Sequence, residues 1–289
     1  MSTVAFLLTQ TVNSLSQAAL LFFLGVGLTL IFGIMRIVNF AHGTLYMLGA
    51  FVGYTLVRVT GSFWVALFVA PLIVGALGTA FELVILRRLY GRDGSTFLMV
   101  TFGLALVVGE MVRLIWGTDA LQVPAPAALS GVVFMLDEPF PVYRLFLAAA
   151  GMIVALALWQ FLERTRLGLL IRATSQNAEM VHALGVDVNL VRSGVFGIGC
   201  AFAALGGVLA APLLSASLGM AATVIIDAFV IVIIGGMGSF LGSLIGALLV
   251  AFVQVFGSYY FPDGALAFMY LIMLGVLIVR PGGLLGKEA

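Results

Sequence analysis

Long, uninterrupted apolar runs are the feature that most restricts how this chain can fold. The first, from about 15 to 35, has no charged residue and is long enough to cross a bilayer core, which takes about 20 helical residues. Charged residues make up only 9% of the 289 positions, whereas a soluble domain carries about 25%. An integral membrane protein is therefore expected. Because the first basic residue, Arg36, follows that run, we expect a retained helix rather than a cleaved signal.

These runs are expected to be helices of one transmembrane domain over residues 1–289. A spanning segment must satisfy its backbone polar groups as a helix or within a closed barrel, and barrel strands are only about 10 residues of alternating polarity. We predict an all-α polytopic membrane protein with eight or nine spans. The candidates are 14–35, 43–60, 64–86, 96–116, 144–162, 193–214, 224–236, 240–258 and 265–280. The second and seventh are short and glycine-rich, as is typical of broken or re-entrant segments.

The basic residues predict the orientation. Lys and Arg favour the cytoplasmic side of short loops, and ten of the thirteen fall on one side of the predicted spans. These are Arg36, Arg87, Arg88, Arg92, Arg164, Arg166, Arg172, Arg192, Arg280 and Lys287. The opposite loops carry Asp119, Asp137, Glu138 and Asp263. The C-terminus and the loop 163–192 are therefore expected in the cytoplasm, and an odd number of spans would put the N-terminus outside.

The loop 163–192 contains the pattern of a short amphipathic helix. The positions that carry it are Ser175, Asn177, Glu179, Met180, Val181, Leu184 and Gly185. Its three apolar side chains recur at helical spacing and are expected to share one face. Ser175 or Asn177 can cap its start, and Gly185 suits a left-handed stop. Such a helix can dock into a groove on a soluble partner or rest on lipid headgroups, and the pattern alone leaves both open.

Polar residues interrupt the apolar sequence where the first two spans meet. Asn39, His42 and Gly43 stand there, beside Arg36. Polar groups at membrane depth are costly, so they usually face protein or a cavity. We expect His42 to brace a turn rather than to bind a metal or carry protons.

Small residues recur every four positions in two places. One row is Gly238, Gly242 and Gly246, and the other is Gly199, Ala203, Gly207 and Ala211. Such rows let helices approach closely in lipid, so we expect helix–helix seams. The stretch GGMGS (235–239) fits either a helix break at membrane depth or a tight turn.

Several function classes lack their motifs. There is no phosphate-binding loop of the form GxxxxGK[ST] and no HExxH or GxSxG motif, so neither ATP binding by that route nor a catalytic or metal site is predicted. The basic residues form no dense patch for nucleic acid. Glu82, Glu110, Arg113 and Asp227 are expected near span ends, with Glu110 and Arg113 placed to pair. A transporter powered by its own proton relay is therefore disfavoured.

Four segments resemble the LivH-type permeases of branched-chain amino-acid ABC importers, and the resemblance covers nearly the whole chain. They are GLTLIFGIMRIVNFAHGTLYMLGAF (27–51), RTRLGLLIRATSQNAEMVHALGVDV (164–188), GGMGSFLGSLIGA (235–247) and RPGGLLG (280–286). The most specific of them is NFAHG.

The resemblance implies a transport subunit of the bacterial inner membrane rather than an enzyme. Its partners would be a second, related permease that completes the pore, two cytoplasmic ATPase subunits and a periplasmic substrate-binding protein. ATP and Mg²⁺ would be bound by the ATPases, so no cofactor is expected in this chain. The segment Ser175–Gly185 would seat in an ATPase cleft as a coupling helix and drive alternating access.

The substrate implied is leucine, isoleucine or valine, although permeases with the same motifs serve urea, amides or other small carboxylates. The alternative is a self-sufficient channel or facilitator for a small polar solute such as urea or an amide. It would need no ATPase, so the loop 163–192 would be dispensable. A membrane-embedded enzyme is disfavoured because no catalytic constellation is visible.

Overall fold

The structure, a computed structural model, describes residues 3–135 and 138–286. Asp137 and Lys287, used above for the orientation, lie outside the described residues. Within those ranges the chain forms α1 (Thr3–Met35), α2 (His42–Thr60), α3 (Phe63–Val84), α4 (Gly94–Trp116), α5 (Val142–Arg164), α6 (Arg166–Gln176), α7 (Ala178–Ala183), α8 (Val188–Leu214), α9 (Met220–Gly235), α10 (Phe240–Tyr260) and α11 (Ala265–Val279). A short antiparallel hairpin pairs β1 (Val132–Met135) with β2 (Glu138–Pro141).

The all-α membrane fold predicted from the sequence is confirmed. Each of the nine predicted spans coincides with one helix, and within the described ranges seven helical segments are long and apolar enough to cross a membrane. The two segments expected to be unusual, α2 and α9, are outside that set of seven. α9 has only 16 residues, and α2 follows a non-helical stretch at 36–41.

α1 and α8 form the centre of the bundle. Most of each is buried, whereas α4 and α11 turn most of their surface outward. α1 packs against α5, α8, α9 and α10, and α8 packs against α1, α2 and α3. The outward surfaces carry large apolar side chains, such as Phe102 and Leu106 on α4 and Leu271 and Leu274 on α11. Such surfaces suit lipid or another membrane subunit.

Small residues on α8 allow its backbone to touch those of its neighbours. A Cβ added at Gly207 would lie 2.0 Å from the carbonyl oxygen of Tyr46 on α2. A Cβ at Gly199 would lie 2.8 Å from the carbonyl oxygen of Gly27 on α1, and Ala203 between them is fully buried. Because lipid tails are as apolar as the helix surfaces, such close packing is a main source of helix–helix attraction.

The other row of small residues is interrupted by a turn. Gly242 and Gly246 lie on α10 against α9, and a Cβ at Gly242 would lie 2.1 Å from the carbonyl oxygen of Gly235. Gly238 was expected on the same helix row, but it precedes α10 and has a φ of 83°. Left-handed backbone at Gly236 and Gly238 reverses the chain after α9. The GGMGS stretch is therefore a tight turn between helices rather than a break within one.

The C-terminal tail folds back onto this turn. The N–H groups of Leu284 and Leu285 donate to the carbonyl oxygens of Ile234 and Gly235 at 2.8 and 3.0 Å. They satisfy groups at the end of α9 that the helix itself leaves without partners. The motifs 235–247 and 280–286, far apart in sequence, thus form one piece of structure.

The same end of the bundle carries basic residues. Gly238 in the turn packs against Gly33, near the end of α1, and Arg36 follows directly. Arg36, Arg92 and Arg192 line a cavity of about 220 Å³ there. The C-terminal tail therefore lies at the bundle end where these three arginines converge, as the charge pattern predicts.

Candidate functional site

The segment between α5 and α8 forms two short helices instead of one. α6 ends at Gln176, and the Oδ1 atom of Asn177 accepts from the N–H of Met180 at 2.9 Å to cap α7. Ser175, the other candidate cap, lies inside α6 and donates to the carbonyl of Arg172 at 2.8 Å. Gly185 ends α7 with a φ of 84°. The local start and stop signals are therefore Asn177 and Gly185.

α7 presents a small apolar surface. Met180 is 59% exposed and Leu184 is 77% exposed, whereas Val181 is only 6% exposed. Of the three side chains expected to share one face, Val181 turns inward because α7 packs against α6 and α8. Glu179 and His182 are also exposed. The free apolar surface of α7 is therefore the pair Met180 and Leu184, held in place by Val181.

A buried carboxylate joins the start of α8 to the end of α3. Glu82 is fully buried, and its two oxygens accept from the hydroxyls of Tyr90 and Ser193, each at 2.5 Å. Arg87 donates to Ser193 at 2.7 Å, and the guanidinium of Arg192 stacks over the Tyr90 ring, 5.0 Å from its centroid. Burial and the hydrogen bond to Glu82 raise the pKa of Tyr90 well above its usual value. A displacement of α8 at this point would be passed to α3.

The NFAHG stretch braces the start of α2 inside the bundle. The side chain of Asn39 accepts from the N–H of Ala41 at 3.0 Å, and the Nε2 atom of His42 lies 3.0 Å from the carbonyl oxygen of Leu24 on α1. A Cβ at Gly43 would lie 2.4 Å from the carbonyl oxygen of Ala221 on α9. These three residues thus fix α2 against both α1 and α9.

The contact of His42 also sets the depth at which α2 begins. Leu24 lies eleven residues before the end of α1, which is about 16 Å along the helix axis. Since the hydrocarbon core is about 30 Å thick, α2 starts near its middle, after non-helical residues of which Ile37, Asn39 and Ala41 are buried. Such broken helices near the bilayer midplane are common in transporters.

Asp227 lies near the same depth, a position that the sequence pattern did not predict. The predicted span began at 224 and put Asp227 near its end, but α9 begins at Met220, so this carboxylate is in the middle of the helix. Asp227 accepts from the side-chain nitrogen of Gln254 on α10 at 3.1 Å, and the side-chain oxygen of Gln254 accepts from the side-chain nitrogen of Gln17 on α1 at 3.5 Å.

The expectation of a position near a span end is therefore wrong for Asp227. Glu82 does lie near the end of α3, and the predicted pairing of Glu110 with Arg113 is confirmed by a 2.9 Å hydrogen bond. A signal was available in the sequence, because Gln10, Asn13 and Gln17 follow one another at helical spacing on α1. That row of polar side chains identifies the face of α1 from which Gln17 contacts Gln254, the hydrogen-bond partner of Asp227.

Comparison with known proteins gives the family. The family described as "Branched-chain amino acid transport system / permease component" matches residues 10–277. The chain is 31% identical to the high-affinity branched-chain amino acid transport system permease protein BraD of Pseudomonas aeruginosa, over 97% of this chain and 96% of BraD. It is 28% identical to the protein of the same description named LivH in Escherichia coli, over 98% and 96%.

A ribose import permease protein, RbsC of Escherichia coli, is also similar, at 25% identity over 86% of this chain and 78% of its own length. No solved structure matches the chain significantly. The family match spans most of the sequence and includes three of the four segments that carry the LivH-type resemblance, all but 280–286. The chain belongs to the permease components of branched-chain amino acid transport systems.

Proposed function

We propose that this chain is one half of the pore of an ATP-driven importer that carries leucine, isoleucine or valine across the inner membrane. The observation that carries the proposal is similarity, over almost the full length, to permeases named for branched-chain amino acid transport. The similarity to a ribose permease is weaker and covers less of the chain. It is the reason to test the substrate directly.

Residues 1–289 would act as one transmembrane domain, with the loop 163–192 as its contact to the energy source. Two ATPase subunits bind ATP and Mg²⁺ and dock from the cytoplasm, where the C-terminus also lies. The exposed pair Met180 and Leu184 supports this role, because a free apolar surface next to charged residues suits a groove on a soluble partner. The remaining partners are a second permease, identical or related, and a periplasmic binding protein that delivers the substrate.

The mechanism is alternating access. Closure of the ATPase pair displaces α7 and with it the start of α8, where the Glu82 cluster joins α8 to α3. The nucleotide shifts the equilibrium between inward-open and outward-open pores only by binding one of them more tightly. In this chain, α7 and the start of α8 are the segments that the ATPase subunits displace when the equilibrium shifts.

The test is reconstitution of the chain with its partner subunits in liposomes, with a panel of amino acids, urea, an amide and ribose offered with the binding protein. ATP-dependent uptake of leucine-like substrates, together with stimulated ATP hydrolysis, is the expected result. Stimulation by ribose or an amide alone would replace the substrate but keep the class. Uptake that runs down a gradient without ATP or ATPase subunits would refute the importer in favour of a facilitator.

A further inference from the structure

Asp227 puts a carboxylate close to the middle of the membrane, and within the described part of the chain it forms no ion pair. It lies eight residues before the end of α9, about 12 Å from that end along the axis. Among the described residues its hydrogen bond comes from Gln254, and the ion pairs formed there involve other acids, namely Glu82, Glu110 and Glu163. A charge at this depth is costly and is usually retained where it faces a partner or a pathway.

A line of polar side chains leads from the outer end of the bundle towards Asp227. Arg144, near the start of α5, donates to the side-chain oxygen of Asn13 on α1. Gln17 lies one turn further along α1 on the same side. Its side-chain nitrogen donates to the side-chain oxygen of Gln254 at 3.5 Å, and Gln254 in turn donates to Asp227 at 3.1 Å. None of these four side chains is fully enclosed, and Asp227 itself is half-buried.

Along α9 the line stops at Asp227. The rest of α9, residues 228–235, reads AFVIVIIG and offers no polar side chain to relay a proton or ion further. A site that ends the polar line and then gives way to an apolar helix fits a solute with one charged end and one apolar end. A branched-chain amino acid has both, with an ammonium that can donate three hydrogen bonds to carboxylate and amide oxygens.

We infer that the Asp227 carboxylate receives the ammonium group of the transported amino acid. Gln254 donates a hydrogen bond that orients the carboxylate. Gln17 and Asn13 form the polar path that leads to it from the outside. This inference rests on the proposed function and adds to it the residue that recognises the amino group. The inference predicts that transport requires a negative charge at position 227 and that a hydrogen bond there is not sufficient.

The experiment is uptake of radiolabelled L-leucine by proteoliposomes that contain the chain, its partner permease, the ATPases and the binding protein. Asp227→Asn keeps the size of the side chain and its ability to accept from Gln254, but it removes the charge. Since a hydrogen bond to a charged group is worth roughly tenfold to a hundredfold in a rate or binding constant, uptake should fall by about that factor. Asp227→Glu, which keeps a carboxylate, should retain intermediate uptake.

The matched control is Glu110→Gln, which neutralises a carboxylate on the outward surface of α4 where Arg113 pairs with it. Its uptake should stay within about twofold of the wild type, because Glu110 lies on α4, outside the line of polar side chains that leads to Asp227. Normal uptake by Asp227→Asn would overturn the inference. So would a loss of uptake accompanied by loss of the partner subunits on purification, because the role would then be structural. If the wild-type complex takes up no amino acid in the panel, the proposed function fails first, and this inference fails with it.

Discussion

Met180 and Leu184 form the exposed apolar pair of α7, and truncating both to alanine should weaken docking of the ATPase subunits. The two side chains are 59% and 77% exposed in this chain, so a groove that covers them would remove most of their surface from water. Asn177, Val181 and Gly185 hold the helix in place and are left unchanged, so that the variant changes the surface rather than the fold of the segment.

The magnitude follows from those exposures. Complete burial of a methionine or leucine side chain is worth about 1.5–3 kcal/mol, and scaling by the exposed fractions gives about 2–4 kcal/mol for the pair. A difference of that size corresponds to a rise in Kd of roughly thirtyfold to a thousandfold. The double variant should therefore lose the ATPases during purification at micromolar concentrations, while its pairing with the second permease persists.

The assay is a titration of ATPase subunits onto the purified permease pair, followed by ATP-driven uptake. His182→Ala is the control, because His182 is exposed on the other side of the same helix, and its Kd should change by less than about threefold. The variant Glu179→Arg with Met180→Asp, which adds charge and polarity at the same tip, should abolish docking altogether. Unchanged affinity of the alanine pair would refute the assignment of α7 as the coupling helix.

Three further predictions concern the packing that holds these parts together. Gly207→Ala forces α8 away from the backbone of α2, so it should cost on the order of 1–3 kcal/mol or more of stability and lower the thermal unfolding midpoint in detergent. Gly103→Ala should leave the midpoint unchanged, because an added Cβ there meets no atom within 4 Å. Tyr90→Phe removes the hydroxyl bonded to Glu82 and should cost about 1–3 kcal/mol. Because the pKa of Tyr90 is raised above its unfolded value of about 10, its contribution is present at all pH values below that and is lost only above it, so the cost should be equal at pH 6 and pH 8. Removal of the chain beyond Arg280 takes away the donors to the last carbonyls of α9 and should also lower the midpoint, and an unchanged midpoint would contradict the role of the tail.

The spans were predictable because their signal is strong and local. A continuous apolar run of about 20 residues has few alternatives to a membrane helix, so every predicted span coincides with a helix. The helix stop at Gly185 was also predictable, because a left-handed glycine acts on the few residues around it. The start was narrowed to two candidate caps, Ser175 and Asn177, and the structure has Asn177.

What sequence could not supply was the contact between distant segments. Nothing local indicates that the tail after Arg280 satisfies the end of α9, since either sequence could be solvated alone. Val181 is apolar like the exposed Met180 and Leu184, and only the packing of α7 against α8 turns it inward. Asp227 was placed near a span end because the start of α9 was predicted four residues late, and helix boundaries in apolar sequence carry little signal.

The structure gives a physical reason why a small movement at α7 can reach the middle of the membrane. α8 is one continuous helix from Val188 to Leu214, so displacement of its first turn moves its whole length. Its contact with α2 is backbone against backbone at Gly207, and such a contact cannot be absorbed by a change of side-chain rotamer. α2 in turn touches the backbone of α9 at Gly43. Because α2 begins near the midplane, α7, α8, α2 and α9 form a chain of rigid contacts that ends beside Asp227.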